Sequence, residues 1–550
     1  MSFAFSKLPV YICSKLTTRI LEMKKLNFSK PLVFFLLIIN SVQSIAQADN
    51  FRAAEVKVCF NERLQIWDGF GLNYVETAQT FNYEKFRQDY GGLSLLNESS
   101  KNDVFELLFG EDGIQPAIIK MFLDPLHQKI PNGPFDHSST TNQMRTFVKN
   151  AQKYNKLRND KLSVITTLYG PPGFMTLQGS IRGRDLNPDS HQMLADYIVD
   201  WVDFLKKEEI PVDFVSVHNE GESWTRWPEN GEAGTTQAEG HDYNLYWPPK
   251  QLVDFLPMLK NTLNNKGYTG IGVSNGEPTN WFRLAEYGYA DALIQNPNAL
   301  DALGLITCHG FYVGCIETGP WFGPHTPRGI NILKSAKNEL HSWTTSSAWD
   351  IKLKSSTESL EPKTNYISDA HFIKEIHSNI YELSVNAYIP WACMQHASHW
   401  IAPDPNPGTA IRVYDDGSYR IHKAYYLYKQ VSRAGKQGMY VCKTSSMDSE
   451  VSLIAFTGDP KKYRDAFIIT NTGKSEKRLE VEITGQQDPR FEAYRTTAGE
   501  VIDTTAEMKD SKLEGENYKS IGEFVWKDSK LILEVPPNSV TTFFRLNNTN

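Results

Sequence analysis

Between residues 67 and 421, short apolar runs alternate with longer amphipathic stretches. This alternation restricts the fold strongly, because strands that are linked by helices form parallel sheets with both faces covered. Eight of the apolar runs have the length of strands, and eight such strand and helix units close into a (β/α)8 TIM barrel. We predict the eight strands at residues 68–73, 117–122, 163–168, 214–218, 270–274, 304–309, 339–345 and 387–394.

The chain is predicted to hold a second, smaller domain. Its 550 residues exceed what one hydrophobic core usually serves. Residues 425–550 carry short alternating runs that are separated by Gly, Asn, Asp and Pro turns, a pattern typical of an antiparallel β-sandwich. Residues 49–66 also alternate and are predicted to add a strand to that sandwich, so the barrel extends over residues 67–424.

The N-terminal region has the pattern of an export signal. A lysine-bearing start at Met23 leads into an apolar stretch at 31–40, and small residues follow up to Ala48. We interpret residues 1–48 as the export signal region, with Met23 as the true start, and expect a secreted protein in the periplasm or outside the cell. A bilayer requires about 20 apolar residues, so no integral membrane segment is expected after signal removal.

Charge and cysteine content exclude several partners. The net charge is −7 and acidic and basic residues are interleaved, so no broad cationic surface is expected for nucleic acid. The cysteines beyond the export region lack the paired spacing of zinc sites or disulfide frameworks, and we expect buried free thiols and no metal or cofactor. They are Cys59, Cys308, Cys315, Cys393 and Cys442.

The fourth predicted strand delivers the best catalytic candidate. In (β/α)8 enzymes the active site lies at the C-terminal ends of the strands, where this strand brings His218, Asn219 and Glu220. Glycoside cleavage requires a carboxylic acid that protonates the departing oxygen, and a neighbouring Asn can hydrogen-bond the sugar. We therefore predict Glu220 as a general acid/base, although an Asn-Glu pair is also typical of a solvated helix start.

Several segments along the chain form an ordered set of motifs. They are WDGFGLNYVE at 67–76, LYGPPGFMTLQG at 168–179, Asn219 with Glu220, HGFY at 309–312, Trp391 at the eighth strand and YRIHKAYYLYKQVSRAG at 419–435. In these segments and their order the chain resembles glycoside hydrolase family 30, over nearly all of its length beyond the export region. The resemblance implies a clan A, retaining β-glycosidase type of protein that acts on a β-linked oligosaccharide or polysaccharide without a cofactor.

The seventh strand departs from the family. The resemblance implies a second glutamate there as nucleophile, about 5.5 Å from the acid/base. The chain reads KNELHSWTTSSAWD, and Thr345 occupies the approximate position. Three hypotheses follow: the strand is shifted and Glu339 or Asp350 serves, a carboxylate from another loop such as Glu317 or Glu277 serves, or retaining catalysis has been lost.

An inverting reaction remains open, because it requires only a base about 6.5–9.5 Å away that activates water. Glu222 is the nearest such carboxylate in sequence, and its alternative role is a loop salt bridge. An unactivated hydroxyl such as that of Thr345 is a poor nucleophile without a neighbouring base.

Further residues at strand ends are candidates for sugar contacts. The second strand ends in Asp124, His127 and Gln128, and Lys120 stands where the family has an Arg, whose bidentate fork lysine does not reproduce. Aromatic rings suit the apolar faces of sugars, although they also fill barrel ends structurally. The predicted substrate-binding residues are Asn219, His218, Trp224, His309, Trp391, Asp124 and Tyr74.

Two functions are consistent with these features. The first is a secreted glycoside hydrolase that cleaves a β-linked glycan, with Glu220 as general acid/base. The second is a catalytically impaired carbohydrate-binding barrel that lacks the family nucleophile, for which the seventh strand is the main support. The fold leaves the sugar and its linkage open.

Overall fold

The computed structural model describes residues 52–76, 89–222, 245–311, 326–349, 351–352, 365–396, 408–486, 489–503 and 513–546. The chain divides into two units, Met1–Ala53 and Ala54–Asn550, and every element below belongs to the second. The export region predicted at 1–48 lies outside the described residues. Within the described residues, no helix has the length and apolar character needed to cross a membrane.

The second unit contains strands and helices in an order that changes from alternating to all-β. The strands are β1 (Ala54–Trp67), β2 (Gly69–Asn73), β3 (Ile118–Leu123), β4 (Ser163–Leu168), β5 (Phe214–Ser216), β6 (Gly272–Ser274), β7 (Leu303–His309), β8 (Ser342–Ser346), β9 (Ile351–Lys352), β10 (Asn365–Ser368), β11 (Ala387–Tyr388), β12 (Met394–Gln395), β13 (Ile411–Val413), β14 (Tyr419–Ile421), β15 (Met439–Ser446), β16 (Val451–Thr457), β17 (Ala466–Asn471), β18 (Lys477–Thr484), β19 (Arg490–Thr497), β20 (Glu500–Asp503), β21 (Lys519–Val525), β22 (Lys530–Val535) and β23 (Ser539–Arg545). The α-helices are α1 (Glu98–Phe109), α2 (Asn142–Leu157), α3 (His191–Lys207), α4 (Pro249–Asn265), α5 (Trp281–Glu286), α6 (Tyr289–Gln295), α7 (Pro297–Ala302), α8 (Arg328–Ala336), α9 (His371–Tyr381) and α10 (Lys423–Ala434).

Eight parallel strands close into a barrel. Their order is β2, β3, β4, β5, β6, β7, β8 and β11, and β11 pairs with both β8 and β2. Each of the eight overlaps a strand predicted from the sequence, and the prediction of a (β/α)8 barrel is confirmed. One interior layer of the barrel is apolar and consists of Ile118, Ile165, Leu305, Trp343, Ala387 and Ile389.

The C-terminal domain is a nine-stranded, mostly antiparallel sheet that coils on itself. The sheet order is β21-β19-β23-β17-β16-β15-β1-β18-β22. Phe60 on β1 contacts Phe467 on β17 and Phe491 on β19, with ring centroids 6.5 and 6.3 Å apart, although β1 neighbours neither strand in the sheet. Opposite parts of the sheet therefore face each other across one apolar core, as in a β-sandwich.

The N-terminal strand β1 lies inside this sheet. It pairs antiparallel with β15 and parallel with β18, so the chain runs through the sandwich domain before it enters the barrel. The helix α10, which follows the barrel, contacts both domains. The Tyr428 hydroxyl donates to the Gly71 carbonyl in the barrel (2.6 Å), and the Gln430 carbonyl accepts from Thr542 in the sandwich (3.1 Å). The helix α10 thus connects the barrel to the sandwich through hydrogen bonds on both sides.

The sandwich core should depend on Phe467. Its ring stacks on Phe543 at 4.5 Å and packs edge to face on Trp526 at 5.8 Å. Phe467→Ala should lower the free energy of unfolding by about 3–5 kcal/mol, because it removes a buried ring and leaves a cavity. The exposed Ile532→Ala is the control and should change it by about 0.5 kcal/mol or less. Urea denaturation checks this, and equal midpoints for the two variants would contradict the packing.

Candidate active site

Glu220 lies just beyond the fourth barrel strand, β5, in a strained backbone position. Its φ is +49°, in the left-handed region that a residue with a Cβ rarely adopts. Two backbone hydrogen bonds hold it there: the Glu220 N–H donates to the Glu277 carbonyl (2.7 Å), and the Glu277 N–H donates to the His218 carbonyl (3.0 Å). The loops after β5 and β6 are therefore joined, and such strain is typical of functional sites.

His309 is the last residue of the sixth barrel strand, β7, and it connects two carboxylates. Its Nδ1 lies 3.0 Å from Glu220 Oε1, and its Nε2 lies 3.0 Å from Glu277 Oε2. Burial alone would lower the pKa of the imidazole, but the hydrogen bonds to Glu220 and Glu277 outweigh burial and raise that pKa. The ring is thus built to carry positive charge between two acidic groups.

Glu277 is fully buried and accepts three hydrogen bonds. Thr167 donates to Oε1 at 2.6 Å, while Oε2 accepts from Lys120 and faces His309. Burial opposes ionisation, yet Lys120 and His309 more than offset it and hold the pKa of Glu277 well below its usual range. Glu277 is therefore an ionised and enclosed carboxylate.

Lys120 projects from the second barrel strand, β3, into the same cluster. Its ammonium pairs with Glu277 and lies 3.4 Å from the Ser346 hydroxyl at the end of the seventh barrel strand, β8. Burial lowers the pKa of Lys120, and the neighbouring Glu277 counteracts this. The Thr345 hydroxyl instead lies 3.4 Å from the Cys308 carbonyl. Small hydroxyl side chains and Lys120 thus occupy the place where the resemblance implies a nucleophile.

The residues that flank Glu220 are buried as well. The His218 imidazole stacks on Trp247 at 5.9 Å, and burial lowers its pKa to about 4. Gly276 supports this ring with φ of +77°, and a Cβ there would lie 2.2 Å from His218 Nε2. The Asn219 Oδ1 is buried and has no hydrogen-bond partner among the described residues. The Asn219 Oδ1 is thus an unused hydrogen-bond acceptor beside Glu220.

The side chains of Asp124 and Tyr74 are fully buried. Asp124 accepts from the Thr140 hydroxyl (2.6 Å) and the Leu126 N–H (3.1 Å), and burial raises its pKa to about 6. The Tyr74 hydroxyl donates to Asp89 at 2.6 Å, and the ring has no exposed surface. Neither side chain offers a surface to a sugar in this structure, and their predicted sugar contacts stay predictions.

Trp391 follows the eighth barrel strand, β11, and retains 6% exposure. The backbone N–H of Trp391 donates to the Ser347 carbonyl at 2.7 Å. The centroid of its ring lies 6.1 Å from the ring centroids of Tyr90 and Phe122. The other predicted aromatic contact, Trp224, lies outside the described residues.

Most alternative carboxylates lie away from this cluster. The buried Glu222 carboxylate pairs with Arg283 of α5 at 2.7 Å and accepts from the Thr279 N–H at 3.1 Å. Glu339 precedes β8, at the N-terminal end of the barrel, and its side chain is 65% exposed. Asp350 and Glu317 lie outside the described residues. Glu277 is the alternative that the structure brings next to His309.

Sequence reasoning missed the mutual contacts of this cluster. Glu277 was one of several possible carboxylates, and Thr167 and Ser346 were not singled out. Each of the three lies at or just beyond the C-terminal end of a barrel strand, which is the only signal that could have identified them. Among the described residues no group of His, Cys, Asp and Glu side chains has the arrangement of a metal site, and Cys59, Cys308, Cys393 and Cys442 are buried and free.

Comparison with solved structures identifies the fold. A GH30 endoxylanase from Clostridium papyrosolvens C71 is 17% identical with a TM-score of 0.57, over 90% of this chain and all of that one. The chain therefore has a glycoside hydrolase family 30-like fold. GH30 xylanase C from Talaromyces cellulolyticus is 16% identical with a TM-score of 0.60, over 90% of this chain and all of that one. An endo-beta1,6-glucanase is also 16% identical with a TM-score of 0.60, over 90% of this chain and 96% of that one.

The comparison of structures supports the resemblance to family 30, whereas the comparisons of sequence found no match. No family model matches the chain, and no curated protein matches it either. The low identities to the solved structures leave room for the changes seen at the site, where Lys120, Ser346 and Glu277 are arranged as described above. Fold similarity of this kind carries no substrate by itself.

The buried Lys120–Glu277 pair should be sensitive to single changes. Lys120→Met or Glu277→Gln should each lower the free energy of unfolding by about 3–5 kcal/mol, because each leaves an uncompensated buried charge. The double variant should lose much less free energy of unfolding than the two single variants lose in sum. The control is Lys443→Met, which breaks an exposed pair with Glu62 and should leave the denaturation midpoint unchanged. Additive losses in urea denaturation would show that the two buried groups are not coupled.

Proposed function

We propose that this chain is an exported glycoside hydrolase that cleaves a β-linked glycan and that Glu220 is its general acid/base. One observation carries the proposal. Of the four titratable groups in the cluster, Glu220 has the most exposed side chain, at 10%, whereas His309 has 1% and Lys120 and Glu277 have none. The one carboxyl that can reach a substrate is therefore the one that is held at a strand end and backed by an imidazole.

The geometry fits proton donation. A departing glycosidic oxygen needs a proton from a carboxylic acid that is held rigidly, and Glu220 is fixed by its backbone bridge to Glu277 and its side-chain contact with His309. The neighbouring Asn219 has an Oδ1 that can accept a sugar hydroxyl, and Trp391 supplies an aromatic ring near the mouth. We assign these two residues to substrate binding.

The second carboxylate does not have the properties of a covalent nucleophile. Both Glu277 oxygens are engaged by Thr167, Lys120 and His309, and none of the side chain is exposed. The His309 ring lies between the two carboxyls and contacts one oxygen of each at 3.0 Å. Glu277 is therefore assigned to the electrostatic support of His309 and Glu220 and not to attack on the sugar.

Export is supported by the sequence pattern at residues 23–48, in which a lysine-bearing start precedes an apolar stretch and small residues. An extracellular or periplasmic location fits an enzyme that acts on polysaccharides.

A second candidate function is a carbohydrate-binding barrel without turnover. Its support is the seventh strand, where Thr345 and Ser346 stand in place of a carboxylate and Ser346 contacts Lys120. Such a protein would keep the sugar cleft and the buried charge cluster but would release its ligand unchanged.

The test is Glu220→Gln against a panel of β-linked polysaccharides. The change removes the transferable proton but keeps the shape of the side chain, so kcat should fall by about 10²–10⁴-fold while the Kd for the glycan stays within a few-fold. Reducing-end release measures the first quantity and calorimetry the second.

Glu222→Gln is the matched control, since it changes a neighbouring carboxyl that pairs with Arg283, and it should keep most of the activity. Equal turnover by the wild type and Glu220→Gln would refute the assignment. Tight binding without any product from either protein would establish the second function instead.

A further inference from the structure

The number of protons in the Glu220–His309–Glu277 cluster follows from its geometry. A neutral imidazole has one N–H donor and one bare nitrogen, whereas an ionised carboxylate only accepts. Both His309 nitrogens lie 3.0 Å from carboxyl oxygens, so each contact needs one hydrogen. The three groups therefore share two protons, either as an imidazolium between two carboxylates or as a neutral ring beside one carboxylic acid.

The arrangement decides which carboxyl can take a proton from the ring. Glu277 faces the Lys120 ammonium and accepts from the Thr167 hydroxyl, so it is stabilised as a carboxylate. The Nε2–H of His309 consequently stays on the ring and donates to Glu277. The mobile proton lies between His309 Nδ1 and Glu220 Oε1.

We propose that His309 is the proton store of Glu220 and that Glu277 and Lys120 are positioning residues that keep this store filled. The inference rests on the proposed function for its catalytic meaning. With Lys120 the cluster is neutral overall in either proton position, so moving the proton from Nδ1 to Glu220 creates no net charge inside the barrel. A buried site can tolerate that transfer, whereas adding or removing a charge there is costly.

The groups that face His309 are consistent with this assignment. Glu220 and Glu277 favour the imidazolium and Lys120 opposes it, and the pKa of His309 is raised as a result, despite burial. His218 and Cys308 lie nearby, and burial lowers the pKa of His218 and raises that of Cys308, so both are neutral at pH 7. The imidazolium should persist above the pH of about 6.5 at which histidine normally loses its charge.

The proton balance closes over one hydrolysis. The proton shared by His309 Nδ1 and Glu220 Oε1 moves onto Glu220, which gives it to the departing glycosidic oxygen and is left as a carboxylate beside a neutral ring. Water adds its hydroxyl to the anomeric carbon and releases one proton, which refills the pair. The glycosidic bond breaks, a new C–O bond forms to water, and His309 ends the cycle as it began.

Nitrogen NMR of protein labelled with ¹⁵N-histidine tests the store directly. The His309 signals are those missing from the spectrum of His309→Gln. In the wild type both ring nitrogens should be protonated at pH 7, with a midpoint above about 6.5. Glu277→Gln removes one of the two carboxylates, and the midpoint should fall by about one pH unit or more. Glu222→Gln is the control and should leave the midpoint in place.

The alkaline limb of the kcat/KM profile should move with the NMR midpoint in Glu277→Gln and stay in place in Glu222→Gln. The wild-type titration does not depend on Glu277→Gln, so it decides the question even if that variant fails to fold. A neutral His309 at pH 6 in the wild type, or an NMR midpoint that Glu277→Gln leaves unchanged, would overturn the proposal. If His309 is an imidazolium but the protein hydrolyses no glycan, the shared proton is confirmed and the proposed hydrolase function is wrong.

Discussion

The site depends on one interaction, the buried ion pair between Lys120 and Glu277. Neither side chain touches solvent, and a single unpaired charge in that position would destabilise the barrel. The pair brings the second and fifth barrel strands into one electrostatic unit, to which His309 of the sixth strand adds its ring. Glu220 of the fourth strand is the outermost member. Each of these four side chains, one from each strand end, therefore contacts an oppositely charged or hydrogen-bonding member of the same cluster.

The backbone carries the same coupling. Glu220 adopts its left-handed φ because its N–H reaches the carbonyl of Glu277, and the Glu277 N–H returns to the carbonyl of His218. Glu277, whose carboxylate pairs with Lys120, thus also holds the main chain of Glu220 through its own backbone. A rigid barrel makes this possible, since eight strands that are fixed by closure cannot drift apart. The sandwich is linked to the barrel through α10, whose Tyr428 hydroxyl donates to the Gly71 carbonyl of the first barrel strand.

Much of the fold could be predicted from the sequence, and less of the site. Buried strands appear as apolar runs, and a run such as β4 (Ser163–Leu168) lies where it was expected, because its burial on both faces is written into its composition. Short strands such as β5 and β11 were predicted too long, since apolar residues continue beyond the hydrogen-bonded pairs. Glu220 was found because it directly follows a strand. Glu277 follows its strand after an Asn-Gly turn and resembled any surface turn residue.

The sequence by itself determined that the chain forms a barrel with a β-sandwich and that Glu220 lies at a strand end. These features follow from local periodicity and from the placement of polar residues after apolar runs. Tertiary structure alone decided which charges meet. Lys120 and Glu277 are 157 positions apart and pair only because barrel closure points both side chains into one small volume. No local sequence pattern predicts this pairing, because a charge can be buried only where a partner neutralises it, and that partner is distant in sequence.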